Sequence, residues 1–281
     1  MTPSFDPKPA SALLLVAHGS GVNAAASLPL RELARRLRES GLFGEVACGF
    51  RMEKPGLREA LESLTLPEVF IVPVFTVEGY FVRTVIPREL GLAGPVTVRP
   101  DGRALRLCLP VGGHPRMTDL LLHRAREAAP GVDFASAELL VLGHGTTLDE
   151  RSSAAVHAQV AAVRARGIFA GVHGAFMEVA PKIADWLAFT ACRDVIAVPF
   201  FIADGPHSDQ DIPRLLGIRG GDAAAARERR NPHRIGGRDL YYSSAAGTDP
   251  GMFDIVLDQV HAWELCAKGV PRNGQTTTPS V

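Results

Sequence analysis

The sequence predicts an α/β protein built from two tandem, similar, doubly wound parallel-sheet halves of flavodoxin-like character, with a cleft between them. Three observations lead there. At a single offset of 126, which lays His18 on His144, residues 12–92 align with 138–218 without a gap, and 22 of the 81 positions are identical. Within each copy, short apolar runs alternate with stretches of helical period, the pattern of strands joined by crossover helices. The first run, Ala12 to Ala17, is apolar at every position, as a strand needs when its sheet is covered on both faces.

The first copy then reads, in order, as strand Ala12–Ala17, helix Leu28–Glu39, strand Val46–Phe50, helix Gly56–Leu64, strand Val69–Phe75, helix Val82–Leu90, strand Leu105–Leu109 and helix Arg116–Glu127. The second copy has strands near Leu139–Leu142, Gly171–Phe176, Val195–Phe201 and Leu240–Ser243, with helices between them and a last helix over Gly251–Ala267. The identities sit where such elements would start and stop: His18-Gly19 on His144-Gly145, Pro55 on Pro181, Val72-Pro73 on Val198-Pro199 and Ile86-Pro87-Arg88 on Ile212-Pro213-Arg214. After a nine-residue insertion the match resumes at an offset of 135, with Gly112-x-x-Pro115-x-Met117 on Gly247-x-x-Pro250-x-Met252. One domain has been duplicated, which a short-repeat array would not produce. The units are expected at 11–130 and 137–268. The segment Arg219–Arg238 is expected to be a loop with at most one helical turn, and 269–281 a disordered tail.

Composition narrows the function. Thirty basic residues balance thirty acidic ones, so no net field draws the molecule to nucleic acid or an anionic membrane. No apolar run approaches a membrane span, because Leu13–Ala17 ends at His18 and Val69–Val77 is broken by Pro73. Met1 to Ser11 lacks the order of a secretory signal, and a cytoplasmic chain is expected. Cys48, Cys108, Cys192 and Cys266 form no CxxC pair, which argues against an iron–sulfur cluster or thiolate zinc site; they are expected to be reduced and mostly buried.

In a doubly wound sheet, ligands bind beyond the carboxyl ends of the strands. In the second copy the polar residues placed there are His144 after the first strand, Glu178 after the second and His207 after the third. Two imidazoles and a carboxylate suit a borderline divalent ion such as Co²⁺, Fe²⁺, Ni²⁺ or Zn²⁺, and three protein ligands leave coordination positions open for exchange or catalysis. His173 lies within a strand and reads as a packing residue. The first copy keeps His18 but has Phe81 in place of His207 and Met52 in place of Glu178. His18 is either a retained turn residue or a contact from the opposite wall, where Tyr80 and Phe81 offer an aromatic surface to a flat ligand.

These residues carry a resemblance. Leu-Leu-Leu-Val-Ala-His18-Gly-Ser, Leu-Val-Leu-Gly-His144-Gly-Thr, Ala-Phe176-Met-Glu178 before Pro181, Val-Pro199-Phe-Phe-Ile-Ala-Asp-Gly-Pro-His207, Asp211-Ile-Pro213 and Ala246-Gly-Thr-Asp-Pro250 together resemble the class II chelatases of the CbiX/SirB type, the sirohydrochlorin cobalto- and ferrochelatases. The resemblance spans Ser11 to Ala267. It implies two chelatase-like halves, a metal site at His144, Glu178 and His207 in the second, and ATP-independent insertion of Co²⁺, Fe²⁺ or Ni²⁺ into sirohydrochlorin or a related tetrapyrrole for cobalamin or sirohaem synthesis. The metal is then a substrate, and no ATP or cluster is expected. Glu178 serves either as ligand or as acceptor of a pyrrole proton. Arg83, Arg88, Arg227, Arg229, Arg230 and Arg234 are candidates to meet substrate carboxylates. A metal or tetrapyrrole carrier would use the same ligands without turnover. A histidine phosphatase would need Arg before His-Gly, where Ala17 and Gly143 stand; GxSxG, GxGxxG and GxxxxGK[ST] motifs are likewise missing from the strand ends. The fused copies are expected to supply a pseudo-twofold cleft within a monomer.

Overall fold

A computed structural model describes residues 5–21, 27–147, 149–218 and 231–267. Strands β1 (Lys8–Ala17), β2 (Phe43–Phe50), β3 (Glu68–Pro73), β4 (Val96–Val98) and β5 (Ala104–Leu107) form one sheet in the order β2-β1-β3-β5-β4. Strands β6 (Glu138–Gly143), β7 (Gly171–Phe176), β8 (Asp194–Pro199), β9 (His233–Ile235) and β10 (Arg238–Tyr242) form a second in the order β7-β6-β8-β10-β9. In both sheets the first four strands in spatial order run parallel and the edge strand is antiparallel.

The parallel-sheet halves are as expected, and each carries in addition an antiparallel edge strand that the sequence reading did not include. Val96–Val98 is only three residues long and flanked by Pro95 and Pro100, too short for a periodic signal. Part of Arg219–Arg238, expected as loop, is β9 and the start of β10; residues 219–230 lie outside the described residues. Gly236 and Gly237, at φ of 57° and 79°, make the two-residue turn that pairs Ile235 with Arg238. Both positions are left-handed, which only glycine adopts without strain and which matches the twist of a tight hairpin. The tail at 269–281 also lies outside the described residues.

The helices are α1 (Leu28–Glu39), α2 (Leu57–Glu62), α3 (Ile86–Leu90), α4 (Met117–Ala128), α5 (Arg151–Ala165), α6 (Trp186–Phe189), α7 (Ile212–Leu216) and α8 (Met252–Ala267). Among the described residues no helix is long and apolar enough to cross a membrane. Side-chain alternation along the strands sorts three cores. Leu14, Val16 and Ile71 pack on α2 and α3; Leu140, Leu142 and Ala197 pack on α6 and α7. The opposite faces of both sheets, with Leu13, Leu15, Phe70 and Val72 on one and Leu139, Val141, Ile196 and Val198 on the other, belong to a single core with α1, α4, α5 and α8.

That shared core is made by exchange. α4, which ends the first half, packs on β8 and α5 of the second; α8, which ends the chain, packs on β3 and α1 of the first. Polar ties follow the same crossing. Arg116 donates to Asp254 (2.8 Å) and Asp258 (3.0 Å), His123 Nδ1 meets Asp249 (2.5 Å), Gln259 donates to the Pro110 carbonyl, and Thr118 to Gln159. Burial holds the His114 imidazole, beside Asp258, below its ordinary pKa. Of the cysteines only Cys108 is buried, which corrects the expectation of mostly buried thiols; Cys48, Cys192 and Cys266 are half-buried, and none of the four is in a disulfide.

Candidate metal centre

The three predicted ligands follow the carboxyl ends of β6, β7 and β8, and His144 is near each of the other two. The chain leaves β6 through His144-Gly145. Gly145 has φ +63°, and a Cβ there would stand 2.7 Å from Val179 Cγ2 and 2.8 Å from Phe176 Cβ. Glycine is required, and its turn presses His144 against the exit of β7. The His144 carbonyl accepts the amides of Met177 (3.0 Å) and Glu178 (3.2 Å), fixing the Glu178 loop to the His144 loop through backbone. His144 Nε2 consequently lies 3.7 Å from Glu178 Oε1.

His207 arrives from β8 through Asp204-Gly-Pro206 and opens a wide-turned π segment, His207–Asp211. Such segments leave carbonyls without their usual partners and recur at functional sites. Here the buried Tyr242 hydroxyl donates to the Ser208 carbonyl (2.7 Å), the Gly205 amide donates to Ser208 Oγ (2.9 Å), and the Ala245 amide donates to Asp204 (2.9 Å), so the loop is braced from below. The rings of His144 and His207 are 5.1 Å apart, centre to centre, at 76°.

Each imidazole has its Nδ1 occupied. His144 Nδ1 lies 3.0 Å from the Gly145 carbonyl, and His207 Nδ1 lies 2.8 Å from Asp211 Oδ2. A carbonyl and a carboxylate accept, so in a neutral ring each would hold the proton on Nδ1 and leave the Nε2 lone pair for a cation. The side chains of His144, Glu178 and His207 are 36%, 54% and 50% exposed, open to an exchanging ion. Asp211 was missed as a functional side chain in the sequence, although His-x-x-x-Asp at one helical turn was its available signal. Its replacement by Asn is expected to weaken Co²⁺ binding about 10–100-fold, the usual cost of losing the acceptor behind a ligating histidine; titration of the metal alone checks this.

The trio is more open than the tightest cluster among the described residues, His123, Glu127 and Asp249, whose ligand atoms lie within 4.8 Å of one another. That cluster already holds a cation: Arg124 pairs with Glu127 at 2.5 Å and lies 3.6 Å from Asp249. It is a tie between α4 and the start of α8. His173 sits on β7 with Nε2 3.1 Å from Glu138, whose carboxylate also accepts the amides of Ala191 and Cys192, a structural role.

The first half repeats the turn and loses the ligands. His18 Nδ1 is 3.2 Å from the Gly19 carbonyl, but its ring packs edge-on against Phe81 at 4.7 Å. Glu53, one position past Met52, is turned under Gly19 beside Arg31 (3.7 Å), its side chain only 14% exposed. The loop after β3 approaches the loop after β6: a Cβ on Gly79 would meet Asp149 Oδ2 at 3.5 Å. Asp149 is held below the usual carboxylate range first by its side-chain hydrogen bond from Arg151 and then by the Arg151 amide. Of the candidate arginines, Arg83 pairs with Glu78 (3.5 Å) in the segment after β3 and Arg88 is exposed on α3. Arg234 pairs with Asp239 at the start of β10, the opposite end of the sheet, so it is not a cleft anchor. Arg227, Arg229 and Arg230 lie outside the described residues.

Comparison with known proteins bears on the family and the fold. The CbiX family profile matches residues 12–128 and 138–262. A curated relative from Halobacterium salinarum, described as a probable sirohydrochlorin cobaltochelatase, is 36% identical over 265 residues, covering 88% of this chain and 90% of its own. A Deinococcus radiodurans multi-domain protein with structural similarity to chelatases superposes with TM-score 0.74 and 30% identity, covering 89% of this chain and 54% of that one, so this chain spans about half its length. SirB from Bacillus subtilis, solved with Fe³⁺, superposes with TM-score 0.71 at 17% identity over 92% and 97% of the two chains and shares the fold.

Proposed function

This chain belongs to the CbiX family, whose sirohydrochlorin chelatases insert a metal into that tetrapyrrole, and from that premise we propose that it inserts Co²⁺, without ATP, at His144, Glu178 and His207. The observation that supports the assignment is the pair of neighbouring imidazoles whose Nδ1 atoms each face an oxygen acceptor, with His144 Nε2 3.7 Å from the Glu178 carboxylate at an open mouth. His144 and His207 hold the incoming ion. Each insertion releases two pyrrole protons as four ring nitrogens take the metal. Glu178, more than half exposed, is placed to accept a proton and pass it to water, or to ligate the ion until the ring displaces it; a carboxylate bound tightly to the metal is the poorer base. On this reading the two halves of one chain form the cleft, the active species is a monomer and the reaction is cytoplasmic.

The test is anaerobic incubation of the purified chain with metal-free sirohydrochlorin and Co²⁺ or Fe²⁺, following the absorbance change of the macrocycle. Many turnovers per chain with Co²⁺, faster than with Fe²⁺ and unaffected by omitting ATP, are expected. A single stoichiometric complex without turnover would make the chain a carrier. Faster insertion of Fe²⁺ would overturn the metal assignment.

A further inference from the structure

We propose that Tyr242 is a positioning residue for metal binding: its buried hydroxyl holds the His207 segment at the distance from His144 that lets the two imidazoles act on one ion. The inference rests on the proposed function for the role of His207. That imidazole stands on the π segment His207–Asp211, and the carboxylate it meets, Asp211, belongs to the same segment. This contact moves with His207 and does not set its place relative to a histidine on another loop. The fixing contact comes one residue further on. In a π turn the Ser208 carbonyl would accept from residue 213, but Pro213 has no N–H, and the Ile212 amide already donates to the His207 carbonyl. The Tyr242 hydroxyl donates to Ser208 instead, at 2.7 Å.

Tyr242 is suited to be the fixed point. It ends β10, pairs with Ala197 of β8, is 1% exposed, and has its own amide and carbonyl bound by the Asn231 side chain at 3.0 and 3.1 Å. The first half is the internal comparison. At an offset of 135 Leu107 stands in the place of Tyr242, and at 126 Val82 and Pro87 stand in those of Ser208 and Pro213. The π segment is kept there, as Phe81–Val85, yet Leu107 has no donor for the Val82 carbonyl, and Val82, Pro87, Leu92 and Leu107 line a cavity of about 370 Å³. The same half has Phe81 where the imidazole would be. So the half with the candidate ligand has the phenol beneath it, and the half with an apolar ring in that place has an aliphatic side chain. Ligating side chains must be held to within about 0.5 Å, and one on an exposed segment gains that precision from a buried anchor.

The test titrates Co²⁺ alone, by calorimetry, into the intact chain and its variants, each well below its melting temperature. Tyr242→Phe keeps the ring and removes only the hydroxyl. It is expected to weaken Co²⁺ binding about tenfold, the scale of losing a group that orients a ligand, and in metal insertion to raise the KM for Co²⁺ with kcat little changed. Trp186→Phe is the control. It removes another buried donor of the same core, the indole N–H to the Leu216 carbonyl (3.1 Å), and is expected to lower the melting temperature without changing Co²⁺ affinity. In a His207→Ala background Tyr242→Phe is expected to have no further effect, because the residue acts through that imidazole. Co²⁺ affinity kept in Tyr242→Phe, lowered equally by Trp186→Phe, or lowered by Tyr242→Phe even without His207 would each overturn the positioning role and leave the metal site standing. Unchanged affinity in His207→Ala alone would overturn both this inference and the proposed function.

Discussion

Replacement of His207 or His144 by Ala is expected to reduce Co²⁺ insertion by about 100-fold or more while leaving the melting temperature nearly unchanged. The two effects separate because of where the side chains sit. Each imidazole is about half exposed or less and contributes a single Nδ1 hydrogen bond to its own loop, so deleting it costs no core packing; surface changes of this kind stay within about 0.5 kcal/mol. The loops themselves keep their shape, since the backbone bonds from Met177 and Glu178 to the His144 carbonyl and the Tyr242 brace under Ser208 do not involve the imidazoles. The rate falls because an ion held by one imidazole and an exposed carboxylate has lost a ligand, a larger loss than the 10–100-fold typical of removing only a supporting acceptor. Initial rates with purified variants, alongside thermal melts, check both halves of the statement.

The second large effect concerns folding. Neither half, 5–130 or 137–267, is expected to fold alone, and mixing the two fragments is expected to restore structure. The reason is the exchange of α4 and α8. Without the second half, Leu121 of α4 loses the β8 side of its core, and without the first, Val256 and Val260 of α8 lose β3; all three are fully buried. Within the intact chain, Leu121→Ala should cost about 2–5 kcal/mol, a large share of the roughly 5–15 kcal/mol that holds a domain together. One unfolding transition should shift as a whole, because the cavity opens in a core common to both sheets. Urea denaturation followed by near-ultraviolet circular dichroism measures this. A fragment with a cooperative transition of its own would contradict it.

The contrast between these predictions reflects what can be read along a chain. The central strands were legible because Leu13 to Val16 and Leu139 to Leu142 are continuous apolar runs, and because His-Gly stands at the end of each. The candidate ligands could be proposed because topology puts strand ends together however far apart they are in sequence. The edge strands were not: Val96–Val98 is three residues between prolines, and β9 lies in a segment whose composition reads as loop despite its Gly236-Gly237 turn. The contact of Asp211 with His207 was hidden because a carboxylate four residues from an imidazole has many structural uses. The crossing of α4 and α8 left no local trace at all. An amphipathic helix shows which face it buries, and nothing in its period says which sheet the face will meet.

The central claim is that His144 and His207 together ligate the metal. X-ray absorption of one equivalent of Co²⁺ bound to the chain without tetrapyrrole tests it most directly, since imidazole rings give distinct multiple-scattering features. Two imidazoles around the cobalt in the wild type, falling to one in His144→Ala and one in His207→Ala, is the predicted result. An unchanged cobalt environment in both variants would contradict it.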